Sequence, residues 1–157
     1  MRMVYKVLAF AVAALVMVQA AAIAFGVFGL VVWIDGGGTV DAATAESDLT
    51  FPGVTGFMIH GMFGMIVIPI VAILLLITSF FAHTPGAVKW ALIVLGTTVI
   101  QVGLGFAGHG VPHLGILHGI TAMVLFGVAI MAGMRVKKPV TSGEPAAAQP
   151  IAPAATA

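Results

Sequence analysis

Four long apolar runs take up most of this chain: Val7 to Ile34, Val54 to Phe81, Ala91 to Phe106 with its flanks, and Leu114 to Met134. A helix needs roughly 20 apolar residues to cross the hydrocarbon core of a bilayer, and each run is near or above that length. Lipid offers no partner to backbone N–H and C=O groups, so such runs have to be helical. The expected fold is all-α, a four-helix transmembrane bundle running up-down-up-down, with helices at about 4–35, 54–82, 87–108 and 112–135. These make one domain over residues 1–138, and the Pro- and Ala-rich tail 139–157 is expected to be disordered. With 61% hydrophobic residues, six basic and five acidic in 157, the chain lies outside the soluble globular class.

Charge placement predicts the orientation. Arg2, Lys6, Lys89, Arg135, Lys137 and Lys138 all fall on one side of an alternating bundle, and by the positive-inside rule that side is the cytoplasm. The expected location is therefore the cell membrane, multi-pass, with both termini cytoplasmic. Asp35, Asp41, Glu46 and Asp48 lie in the opposite loop. Tyr5, Trp33 and Trp90 stand near helix ends, where interfacial aromatic anchors are expected. Arg2 and Lys6 before an apolar stretch imitate a secretory signal, but a signal's apolar core is about 7 to 15 residues. Here the run continues unbroken from Val7 to Ile34, so an uncleaved anchor is expected.

The chain has no cysteine, which excludes disulfides, thiolate metal sites, iron-sulfur clusters and covalent c-type haem attachment. No nucleotide loop, nucleophile-base pair or nucleic-acid surface is legible. The partner read from the sequence is the lipid bilayer, with other membrane or respiratory subunits as further candidates and no nucleic acid.

Two windows nearly repeat one another: Met58-Ile59-His60-Gly61-Met62-Phe63-Gly64-Met65 and Ile116-Leu117-His118-Gly119-Ile120-Thr121-Ala122-Met123. An ionisable side chain inside a membrane segment is costly and marks a functional-site candidate by default. The repeat suggests a duplicated helix pair related by an axis along the membrane normal, and Gln19 and Gln101 hold comparable places in the first and third runs. His60 and His118 both lie in the outer part of helices with the same direction. They can offer one imidazole to each face of a flat macrocycle between them, and neutral imidazole suits haem iron as an axial ligand.

Small residues surround both histidines, with Gly56 and Gly64 near His60, and Gly115, Gly119 and Ala122 near His118. Gly64 and Gly115 are expected to let a macrocycle approach the backbone. Gln101 is the best candidate to accept the second imidazole N–H, with Gln19 and Thr121 as alternatives. His113 is the alternative fourth-helix ligand, and His109 and His113 could meet haem propionates. Pro69 is expected to kink the second helix by removing a bond to the carbonyl of Met65. From His60 to His83 is 23 residues and from His118 to Arg135 is 17, a mismatch of roughly 9 Å if both helices were straight.

Helix order and histidine placement resemble one half-bundle of haem A synthase and, more broadly, four-helix b-type membrane cytochromes. The chain also looks like small four-helix membrane proteins of high-GC bacteria. The resemblance covers most of residues 1–138. It implies haem b as cofactor, held by His60 and His118 as iron ligands, and a role in electron transfer or haem handling near the outer face. In the synthase a Glu stands three residues before the second-helix His and an Arg follows it. Here those positions are Phe57 and Gly61, so the oxidase reaction is not implied, and a stand-alone enzyme is less expected than an accessory protein. Met58, Met62 and Met65 beside His60 offer a weaker copper reading, because thioether and imidazole suit Cu(I). A copper or small-solute transporter and a cofactor-free structural subunit are the competing functions.

Overall fold

Each apolar run forms one long helix in the computed structural model, which describes residues 1–41 and 50–136. The helices are α1 (Arg2–Asp35), α2 (Val54–Ser79), α3 (Ala87–Gly110) and α4 (Leu114–Met134), and all four are long and apolar enough to cross a membrane. The described residues contain no strand. Glu46, Asp48, Lys137, Lys138 and the tail 139–157 lie outside the described residues.

The helices are apolar around their whole circumference, which places them in lipid. Phe28 of α1, Val99 of α3 and Ile116 of α4 are 71%, 64% and 64% exposed, an arrangement that hydrocarbon tolerates and water does not. A lipid bilayer is the environment such a surface fits.

The bundle closes as a ring in chain order. α1 packs on α2 and α4, while α3 packs on α4 and on the Ile68–Ser79 part of α2. Arg2 and Arg135 mark the terminal end, and Pro52 and Pro112 the loop end. The core lies in the terminal half, where Ala9, Val12 and Ala13 of α1 meet Ala72 and Leu75 of α2, Ala91 and Val94 of α3, and Leu125 and Ala129 of α4. The many alanines let the backbones approach closely, as membrane helices require when no hydrophobic force drives them together. Tyr5 is part of this core at 1% exposure. Its hydroxyl donates to the Ala87 carbonyl at 3.2 Å, so it is an internal tie between α1 and α3 rather than an interfacial anchor. Trp90 does stand at the terminal end, under the Arg135 guanidinium at 4.5 Å, and Trp33 stacks near Phe51 at the loop end, ring centroids 6.1 Å apart.

In the loop half the tight crossing is between α1 and α2. A Cβ on Gly29 would strike the Pro52 carbonyl and one on Gly56 the Ala22 carbonyl. Gly53 starts α2 with φ 94, a left-handed conformation that glycine adopts without steric cost. Gly56 therefore serves the helix crossing and does not make room for a ligand. Because Val54–Val67 packs on α1 and not on α3, the pairs α1/α2 and α3/α4 stand apart here.

α2 is not a uniform helix. Phe63–Val67 forms a π-helical turn, and the Ile68 N–H bonds to the Phe63 carbonyl five residues back. Pro69 follows at once, so the expected disturbance takes the form of a register slip just ahead of the residue that has no N–H to give. α2 ends at Ser79 rather than near residue 82, because Thr78 and Ser79 turn their hydroxyls onto the carbonyls of Leu75 and Leu76 at 3.0 and 2.6 Å. These bonds satisfy end-of-helix acceptors. α4 starts at Leu114, with Pro112 in the turn before it, where the Leu114 N–H bonds to the Val111 carbonyl at 2.9 Å.

Candidate functional site

The gap between the two helix pairs is a cavity of about 670 Å³ whose walls come from all four helices. That volume lies within the range of small-molecule and cofactor sites. Val16, Ile68, Thr98 and Leu125 close its floor toward the core. Gly61, Gly64, Gly105, Gly108, Gly115 and Gly119 all line it, and a Cβ added at Gly61, Gly115 or Gly119 would meet nothing within 4 Å. Glycine thus leaves open much of a wall to which Phe57, Met65, Phe106 and Met123 contribute the larger side chains.

His60 and His118 face one another across the cavity, with ring centroids 6.1 Å apart and planes at 65°. The two imidazoles therefore come within 6.1 Å of one another, despite the unequal lengths of chain that lead to them. Part of the mismatch disappears because α2 stops at Ser79, and the π turn takes in a residue without a matching advance.

Both rings are oriented in the same way. His60 Nδ1–H donates to the Gln19 backbone carbonyl at 3.1 Å, and His118 Nδ1–H donates to the Gln101 backbone carbonyl at 3.1 Å. The acceptor in each case is the main chain of the preceding helix, which has a second lone pair beyond its intrahelical bond. A proton held on Nδ1 leaves the Nε2 lone pair available for a metal. Gln101 thus does orient His118, but through its backbone rather than its side chain. Gln19 does the same for His60, and the equal geometry strengthens the case for two related helix pairs.

The two sites differ at Nε2. The Gln101 side-chain amide donates to His118 Nε2 at 3.2 Å, whereas the Gln19 amide reaches the Ile59 carbonyl at 3.5 Å. In both glutamines the amide oxygen Oε1 is buried and lacks a partner. Gln19 Oε1 is packed against Gly64, 3.3 Å from where a Cβ would stand.

The remaining candidates separate clearly. Gly64 and Gly115 line the cavity. His113 does not; it is exposed at the N-cap of α4, two residues before Gly115. His109 lies on the cavity rim instead, its Nδ1–H bonded to the Gly105 carbonyl at 3.0 Å. Met58 and Met62 point outward with 64% and 51% exposure, and of the three methionines near His60 only Met65 reaches the wall. Thr121 lies outside the cavity. Thr98 forms part of the floor and was not legible as a site residue, because its hydroxyl bonds only to the Val94 carbonyl of its own helix. Its one signal was a position a single turn before Gln101.

His83 is exposed, with its carbonyl accepting from Arg2 at 3.2 Å. No cluster of three or more His, Asp or Glu side chains able to hold a bare metal ion occurs among the described residues. His60 and His118 are two side chains of the cavity wall that could hold a metal-bearing cofactor. Comparison with protein-family models, with curated proteins and with solved structures gives no match.

Proposed function

We propose that this chain binds b-type haem between His60 and His118 and serves electron transfer or haem handling in the cell membrane, with both termini cytoplasmic and the haem toward the outer face. The observation that carries this reading is the 6.1 Å separation of two imidazoles that line one glycine-rich cavity and are each tied through Nδ1 to a backbone carbonyl. His60 and His118 would hold the haem iron. Gly64 and Gly115 would lie against the macrocycle, and the carbonyls of Gln19 and Gln101 would hold the rings in place. Bound there, the iron supplies one-electron chemistry, while the protein sets ligation, burial and hydrogen bonding. The orientation follows from Arg2, Lys6, Lys89 and Arg135 at the terminal end. The lipid-exposed methionines give the copper reading little support.

The test is an absorption spectrum of the purified chain after expression with added haem. A reduced-state α band is expected in the parent protein, and its loss in His60→Ala and in His118→Ala. A second reading, a cofactor-free subunit of a larger complex, is favoured by one observation, the bond from Gln101 that satisfies His118 Nε2. A colourless parent protein that still folds would decide for it.

A further inference from the structure

His60 and His118 are held alike at Nδ1 and differently at Nε2. No partner for His60 Nε2 occurs among the described residues, whereas His118 Nε2 accepts the Gln101 amide N–H. We propose that Gln101 is a gate on the His118 lone pair, so that His60 takes a metalloporphyrin first and His118 joins only when the Gln101 side chain swings away. This rests on the haem reading above and goes beyond it by assigning the two ligands unequal roles.

The gate is cheap to open. The Gln101 amide makes one hydrogen bond, to His118, and leaves its oxygen buried without a partner. Opening therefore breaks one hydrogen bond, and the amide oxygen has none to lose. There is space for the movement, because Gln101 lines the cavity together with Gly105, Gly108 and Gly115. The His118 ring does not need to turn, since its Nδ1 bond runs to the Gln101 backbone, which stays put. Opening thus removes the hydrogen-bond donor from Nε2 and frees its lone pair for a metal, while the Nδ1 bond keeps the imidazole in place.

A gate of this kind makes one of the two axial bonds reversible. His118 has a waiting substitute partner and His60 has none, so the bond to His118 is the weaker one. A site with one firm and one exchangeable ligand is suited to taking up a metalloporphyrin and passing it on. Gln101 is therefore a positioning residue, acting through His118.

Gln101→Leu removes the amide and keeps the volume, with Gln101→Met as a second variant should the first fail to fold. In the haem-free protein, the ¹⁵N shift of His118 Nε2 reports the gate directly, and it is expected to move to that of an unbonded neutral imidazole nitrogen in either variant. In haem-loaded protein, transfer to excess apomyoglobin is expected to slow about five-fold, the equivalent of one net hydrogen bond lost from the released state. A haem-loaded parent with transfer unaltered in both variants overturns the gate alone, as does an unchanged ¹⁵N shift. A parent that binds no haem overturns the gate together with the reading it rests on.

Discussion

Glycine is the residue on which the site turns, and it does two opposite things here. Gly56 and Gly29 are filled against by neighbouring backbone, while Gly119 and Gly115 open onto empty space. The local sequence does not tell Gly56 from Gly115, since each stands within four residues before a His-Gly pair. Gly119→Leu should therefore leave the fold intact, within about 0.5 kcal/mol of the parent as for other substitutions away from packed features. If the proposed haem reading holds, it should also abolish haem absorbance by placing a side chain in the cavity beside His118. Helix content by circular dichroism and the absorption spectrum of one sample check both halves of this expectation. The histidines themselves were legible from their repeated context and their cost inside lipid. The Gln101 amide on His118 Nε2 was not, because which of a glutamine's groups meets an imidazole depends on the distance between helices.

At the scale of elements, the crossing of α1 and α2 is set by the backbone approach at Gly56. Gly56→Leu forces the helices apart and is expected to destabilise the protein by about 1–3 kcal/mol or more, as overpacking does. Gly127→Ala meets nothing within 4 Å and replaces the weaker helix former, so a gain of up to about 1 kcal/mol is expected. Equilibrium unfolding in mixed micelles distinguishes the two. Helix number and type could be read from run length alone, because lipid admits no other backbone solution. Their ends could not. α2 stops at Ser79 through hydroxyl-carbonyl bonds that a hydropathy pattern does not record, and Pro69 announced a break without saying that it would be a π turn over Phe63–Val67.

Across the whole molecule, stability and the candidate function occupy different halves. The terminal half holds Leu75 and Val94 at 0% exposure, and the loop half holds the cavity. Leu75→Ala should cost about 2–5 kcal/mol, the usual range for a fully buried leucine. Ile23→Ala, in the cavity wall, should cost less than about 1 kcal/mol, since its neighbours on that side are few. The same micelle unfolding measurement compares them, and equal losses would contradict a hollow loop half. By itself the sequence determined the solvent, the number of spans and their alternation, because burying polar backbone in hydrocarbon leaves helices as the one outcome. It also singled out His60 and His118, whose polarity is conspicuous against apolar neighbours. Only the tertiary structure decided that the two rings come within 6.1 Å of one another, that Tyr5 turns inward, and that His109 rather than His113 borders the site. Those outcomes depend on how far apart four backbones stand, and that distance is set by side chains packing between helices far apart in the chain.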